Sequence, residues 1–295
     1  MNQVLAMRAY IRTVEAKSFS RAADQLELPR STVSKLITDL EKHLGVKLIH
    51  RTTRSVNITA EGWEYYRRVV KLVADIDEAE QAVRGKKDKP QGHLRIDVQT
   101  SFAHNLLIPA LPEFNQEYPD ITMALGISDR TINIVGEGVD CAIRAGTIQD
   151  QTLVARKITD LEYVTCGSAA YFKSMGIPRT PQEVADTHKK IIYFSSTTGR
   201  IVPLTFTRQG ETLEITESQF SANEGDGVIN MMLAGMGIAQ HLRAFIQPHL
   251  DSGRLLPVLQ DWHQPALPFY VVYRQNIHQN ERLRVFIGWL IRKFG

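Results

Sequence analysis

Cysteine is scarce in this chain of 295 residues. Only Cys141 and Cys166 occur, so no disulfide framework holds the fold, and a reducing compartment is implied. No apolar run reaches the length of about 18 residues that a membrane span needs. Met1-Asn2-Gln3 has no basic segment followed by an apolar one, and leads directly into a pattern containing Arg8 and Arg12. No secretory signal is therefore expected, and a cytoplasmic location follows. Catalytic motifs are missing too. The nine histidines show neither HExxH nor Cys/His ligand spacing, and no G-x-S-x-G elbow occurs. Gly235-Met236-Gly237 lacks the third glycine of a dinucleotide fingerprint and follows an apolar run, where it serves as a helix stop. Gly225-Asp226-Gly227 is not followed by the Lys-Ser/Thr of a phosphate loop. No catalytic residue, metal or cofactor is expected.

The charge that is present is unevenly placed. Residues 1–58 carry ten Lys and Arg against five Asp and Glu, whereas residues 93–295 carry 18 against 20. A basic excess at one end fits a chain that meets a polyanion only there. The length suits two or three packed units.

The N-terminal pattern is helical. Val4, Met7, Ile11 and Val14 recur every three or four residues. Ser18 can cap a short second helix containing Ala22, Ala23 and Leu26, small residues that let helices cross closely. Leu28-Pro29 breaks that pattern and suits a new start. From about Arg30 to His43 a third helix turns Val33, Leu36, Ile37, Leu40 and Leu44 to one side. Ser31, Ser34, Lys35, Thr38 and Lys42 face the other. Hydroxyls and a basic chain on an outer helix face reach phosphates and base edges, although a solvated face is the plainer reading. The short helix and tight turn before it favour a recognition helix. Gly45 ends this helix as a left-handed cap. Two β-rich runs then flank Thr52-Thr53-Arg54 and predict a small hairpin, or wing, with Arg51 and Arg54 near its tip; two solvated arginines on a surface hairpin is the alternative.

Ser18-Phe19-Ser20-Arg21-Ala22-Ala23, Ser31-Thr32-Val33-Ser34-Lys35, Leu40 to Leu48, Arg51-Thr52-Thr53-Arg54 and Thr59-Ala60-Glu61-Gly62 together resemble the head of LysR-type transcriptional regulators. The resemblance implies a DNA-binding role, with Arg30, Ser31, Ser34 and Lys35 on the recognition helix and Arg51 and Arg54 in the wing. Pro29 departs from the serine cap common in that family.

From Thr59 no helix breaker appears until Gly85. Gly62, Tyr66, Val69, Val73, Ile76, Glu80 and Val83 alternate by four and three, a heptad-like seam. A helix of roughly 26 residues spans about 39 Å and must bury its stripe. The same helix of a second chain is the expected partner, which makes Tyr66, Val69, Val73, Ile76 and Val83 dimerisation residues; packing against the chain's own body is the alternative. A dimer carries two reading heads and implies a partly palindromic site on double-stranded DNA. Residues 85–92, Gly85-Lys86-Lys87-Asp88-Lys89-Pro90-Gln91-Gly92, read as a hinge.

Beyond it, strands are expected at Leu94–Val98, Ile121–Ile127, Val139–Ile143, Tyr163–Cys166 and Phe269–Tyr273, and a hairpin at Leu204–Ile215. Helices are expected at about Ser101–Tyr118, Thr131–Glu137, Gly227–Ala234 and Arg282–Lys293. This alternation predicts an α/β architecture with mostly parallel sheets. Leu107 to Phe114, Tyr118-Pro119-Asp120, Gly138 to Gly146, Leu153 to Arg156, Leu233 to Ala239 and Ser252 to Leu255 resemble the effector domain of the same family, and within it the CrgA-like subgroup. Gln240-His241-Leu242-Arg243 stands where that subgroup usually has a Leu-Pro pair.

The fold implied is an N-terminal all-α winged helix-turn-helix with a long linker helix. It is joined to a C-terminal α/β two-lobed domain like type 2 periplasmic binding proteins. The expected boundaries are 1–58 for the head, 59–84 for the linker, 85–92 for the hinge and 93–295 for the effector domain. Lobe I takes about 93–160 and 269–295, and lobe II about 161–268. Ligands in such folds sit at strand C-termini and helix N-termini, which suit anions. Thr100, Ser101, Ser128, Arg144, Thr147, Ser195, Ser196 and Asn223 are the candidate effector residues, with Arg144 a partner for a carboxylate; simple helix caps and a structural ion pair are the alternatives. The resemblance further implies a dimer or tetramer and RNA polymerase as a partner. A solute-binding protein and an enzyme are the competing readings, disfavoured by the basic head and by the lack of a nucleophile–base pair. Redox sensing is the alternative role for Cys141 and Cys166, which sit in apolar strands where thiols are usually inert.

Overall fold

The computed structural model describes residues 2–51, 56–84, 90–130, 134, 137–146, 148, 150, 152–275 and 280–295. Its contacts divide the chain into two compact units, residues 1–88 with 133–138, and residues 89–132 with 139–295.

In the first unit each helix start follows from a nearby side chain. Asn2 accepts the Leu5 N–H at the start of α1 (Gln3–Ala16), and Ser18 accepts that of Arg21 at the start of α2 (Phe19–Gln25). Pro29 precedes α3 (Arg30–Leu44) and gives it no side-chain cap. Gly45 ends α3 with φ of 72°, a conformation that glycine adopts without strain. The wing strands β1 (Ile49–Arg51) and β2 (Val56–Ile58) pair antiparallel. The segment 52–55 between them, with Arg54, lies outside the described residues. The long helix α4 runs Ala60–Arg84.

The core of this unit draws on all four helices. Ala6, Ala9 and Tyr10 of α1, Ala22 of α2, and Val33, Ile37 and Leu40 of α3 are buried together. So are Tyr66, Val69 and Val73 of α4. The seam expected to meet a second chain is therefore spent, over these three residues, on the head of the same chain. Ile76 is half-buried, and the Val83 side chain lies outside the described residues. Gly62 explains how α4 comes so close. A Cβ there would lie 2.2 Å from the Leu48 carbonyl oxygen, and the Tyr10 hydroxyl donates to the Gly62 carbonyl at 2.7 Å.

The second unit opens with β3 (Gly92–Val98), α5 (Thr100–Phe102), a π turn (Ala103–Leu107) and α6 (Ile108–Glu117). The π turn answers Pro109, which has no N–H for the helical ladder and would crowd the preceding turn. β4 (Ile121–Ile127), β5 (Cys141–Ala145) and β6 (Leu153–Leu161) follow. The chain then builds β7 (Tyr163–Ser168), α7 (Ala169–Met175), α8 (Pro181–Thr187), β8 (Ile191–Phe194) and β9 (Ile201–Val202). Next come the hairpin β10 (Leu204–Arg208) and β11 (Glu211–Ile215), then β12 (Phe220–Ala222) and α9 (Gly225–Leu233). β13 (Ala239–Leu242), α10 (Arg243–Asp251) and β14 (Leu255–Pro257) complete this portion. β15 (Leu267–Arg274) and α11 (Glu281–Phe294) return to the first sheet.

That sheet has the order β4-β3-β5-β15-β6. It is mixed, not mostly parallel. β3 is parallel to β4 and β5, but β15 runs antiparallel to both β5 and β6, because it enters the sheet on the way back from the second lobe. The second lobe holds the small sheets β13-β7-β14 and β12-β8-β9 beside the hairpin. Phe102 lies at the heart of the shared core, stacked on Phe269 and edge-on to Phe245 of α10. The expected helix at Thr131–Glu137 falls largely outside the described residues.

Candidate DNA-reading face and effector site

α3 turns its buried residues inward and leaves Arg30, Ser31 and Lys35 exposed, with Ser34 and Thr38 half-buried beside them. The Thr38 hydroxyl donates to the Ser34 carbonyl at 2.9 Å. Arg51 closes β1 opposite Val56. The wing is tied to α3 by a residue that the sequence reading did not single out, Glu41. Its Oε1 accepts the N–H groups of Leu48 and Ile49 at 3.0 and 3.1 Å, and its Oε2 takes the Lys47 ammonium at 2.7 Å. Burial pushes the Glu41 carboxyl up, but the hydrogen bonds from Lys47, Ile49 and Leu48 outweigh it and hold the group below the ordinary carboxylate range.

In the second unit the C-terminal ends of β3 and β4 meet the second lobe. Thr100 and Ser101 are buried there. The Thr100 N–H donates to Asp129 Oδ1 at 2.8 Å, so a carboxylate of the chain itself occupies the free end of this helix. Ser196 of the second lobe donates to the Asp129 carbonyl at 3.0 Å. Ser101 donates to Asp226 Oδ1 at 2.7 Å, and His104 Nδ1 lies 2.7 Å from Asp226 Oδ2. Asp226 stands in the first turn of α9, where the helix dipole favours a negative charge.

His241 closes the floor. It is 7% exposed, and its Nε2 donates to the Gly225 carbonyl at 3.2 Å. Burial holds its pKa below the usual histidine value, against the hydrogen bonds to Leu242 and Gly225 and the charges of Asp226 and Asp129. Gly225 is needed here, since a Cβ would lie 2.3 Å from Ser101 Oγ. Burial and the nearby Asp129 and Glu224 push the Tyr193 hydroxyl up to about 12. Gln240 accepts the Thr205 N–H at 2.7 Å and donates to the Thr205 carbonyl and Thr165 hydroxyl, so the departure at Gln240-His241 builds a strand, β13, with its own side-chain bonds.

Not every candidate converges on this place. Arg144 pairs with Asp97 and donates to the carbonyls of Ile143 and Arg130, so it serves a structural ion pair. Ser195 accepts the Thr198 N–H and shapes its own loop. Ser128 is half-buried after β4, Asn223 is exposed before α9, and Thr147 lies outside the described residues. Asp129, His104, Tyr193, Asp226 and His241 were missed. The acidic residue opening the helix after Gly225 was the one local signal that could have revealed Asp226.

Comparison with known proteins covers both units. Residues 5–63 match the family described as bacterial regulatory helix-turn-helix protein, lysR family, and residues 87–295 match the LysR substrate binding domain. The chain is 34% identical to an HTH-type transcriptional repressor of Pseudomonas aeruginosa, covering 100% of this chain and 93% of the relative. It is 32% identical to the HTH-type transcriptional regulator CrgA of Neisseria meningitidis, covering 98% and 96%. The solved structure of CrgA superposes with a TM-score of 0.64 over 99% of this chain and 98% of that one. Full-length AphB of Vibrio cholerae, at 24% identity, shares the fold with a TM-score of 0.62 over 98% and 99%.

Proposed function

Because the chain belongs to the LysR family of transcriptional regulators, with a helix-turn-helix head and an effector-binding domain, we propose the following division of labour. α3 reads the major groove through Arg30, Ser31, Ser34, Lys35 and Thr38, and Arg51 and Arg54 of the wing hold the flanking backbone. The observation that carries this reading is the exposed hydroxyl and basic face of α3 on a helix whose other face is buried. The protein acts in the cytoplasm as a homo-oligomer on a partly palindromic site, and passes its signal to RNA polymerase.

The effector sits between the lobes against Thr100, Ser101, Ser128 and Ser196. An anionic effector has to displace Asp129 from the Thr100 N–H, whereas one with hydrogen-bond donors can use Asp129 and Asp226 directly, and we favour the latter. Ser101, Asp226 and His104 do not make a hydrolase site. The carboxylate stands between serine and histidine, whereas activation of a serine needs the imidazole in the middle. Dimerisation through α4 falls to its outward side, where Leu72 is 52% exposed and Ala79 follows one heptad later.

Selection of genomic fragments by the purified protein, with footprinting at several salt concentrations, tests the reading. A protected, partly palindromic site with affinity well above that for random DNA is expected. Weak binding blind to sequence is the result that overturns it.

A further inference from the structure

The end of the β4-β3-β5-β15-β6 sheet away from Thr100 and Ser101 carries a second concentration of charge. Asp140 precedes β5, the register places Arg95 of β3 and Arg274 of β15 beside it on the neighbouring strands, and Arg282 in the first turn of α11 approaches it. Asp140 is committed on one side, since its Oδ2 accepts the Arg95 N–H at 2.7 Å. Its other oxygen, Oδ1, lies 4.0 Å from Arg282 Nη2, beyond hydrogen-bond reach.

Arg282 is the unusual member. Its side chain is 3% exposed, its Nε is buried with no partner, and among the described residues it makes no hydrogen bond. A guanidinium carries five N–H donors in a rigid fork, and burying them unmet is costly. Gly92 lies against it with φ of 118°, a conformation that glycine adopts without strain, and a Cβ there would meet Arg282 Cδ and Nη1 at 3.4 Å, ordinary van der Waals contact. Three arginines thus lie about one carboxylate, and the most buried of them keeps its Nε donor unmet. Neighbouring β-strand ends and a helix start supply them from separate parts of the chain.

We propose that Arg282, with Arg95 and Arg274, forms a binding site for one small tetrahedral oxyanion per chain, of the phosphate or sulfate class. The fork of Arg282 supplies parallel N–H donors and the other two arginines supply balancing charge. The site is separate from the place assigned to the effector, and does not depend on that assignment.

Calorimetric titration of the full chain with inorganic phosphate, at ionic strength held constant with chloride, tests it. One phosphate per chain is expected. Arg282→Gln should weaken it at least about tenfold, and Arg282→Lys, which keeps the charge but loses the fork, should weaken it less. Phosphate binding that is absent, or equal in wild type and Arg282→Gln, overturns the proposal. Should Arg282→Gln fail to fold, wild-type crystals grown in selenate decide the matter. An anomalous peak within hydrogen-bond distance of Arg282 Nε is expected, and a water in that place with no selenate overturns it.

Discussion

The hydroxyl of Ser101 donates to the carboxylate of Asp226 at 2.7 Å, and 125 positions separate the two residues. Ser101 opens the helical run of lobe I, and Asp226 opens α9 of lobe II, so this one bond ties the two lobes at the place assigned to the effector. His104 and Ser196 add further ties beside it, to Asp226 and to the Asp129 carbonyl.

Breaking that tie should be measurable without knowing the effector. Ser101→Ala removes a donor to a carboxylate, and the effector domain should lose about 1.5–3 kcal/mol. Urea unfolding followed by tryptophan fluorescence reads this. An unchanged midpoint would mean that the bond holds nothing together.

Glu41 sets an acid limit on the head. Its carboxyl titrates lower in the folded head than in the unfolded chain, so the unfolded chain binds its proton more readily. The stability it contributes is complete above the unfolded value of about 4.3, and is lost as pH falls through the lower folded value. Glu41→Gln should destabilise the head by about 1–3 kcal/mol at pH 7 and flatten its dependence on acid. Thermal unfolding of both proteins between about pH 7 and pH 3 checks the sign.

On DNA, Lys35→Ala should weaken binding equally for all sequences and lower the salt slope by about one unit, as for a lost phosphate contact. Changes at Arg30 or Ser34 should instead alter preference at single base positions, by about 1–3 kcal/mol. Binding of all three variants equal to wild type would exclude α3 as the reading helix.

Two positions on α4 should separate folding from assembly. Val69 is fully buried in the head, so Val69→Ala should cost about 0.5–3 kcal/mol of its stability. Leu72→Glu should leave the head folded and weaken the dimer by about tenfold or more, a change of about 1.4 kcal/mol. Sedimentation equilibrium distinguishes them, and a dimer insensitive to Leu72→Glu would place the interface elsewhere.

Peroxide should leave DNA binding unchanged. Cys141 and Cys166 are both free and buried; burial pushes the Cys166 thiol up to about 12 and raises that of Cys141 as well. Thiolate is the reactive form, so neither offers much of it. Loss of the footprint after oxidation would reopen a redox role.

The head was legible because its information is local. Ser18, Pro29 and Gly45 mark helix limits within a few residues of where they act, and Val33, Ile37 and Leu40 declare a buried face by spacing alone. β4 was readable residue for residue from its apolar run. β6 was missed because Arg156, Lys157 and Asp160 make it a polar edge strand, and β8, β9, β12, β13 and β14 are too short to show a period.

Periodicity and caps therefore marked out a small helical head before an α/β domain, and the resemblance of its motifs to the LysR family made that head DNA-binding. Spacing states that a face must be buried, but not what buries it, and so only the tertiary structure assigned Tyr66, Val69 and Val73 to their own head. The same holds for charge. That Arg144 turns to Asp97, and Asp226 to Ser101, depends on which strand and helix ends the chain brings together, and contacts between residues 47 and 125 positions apart leave no periodic trace in the sequence.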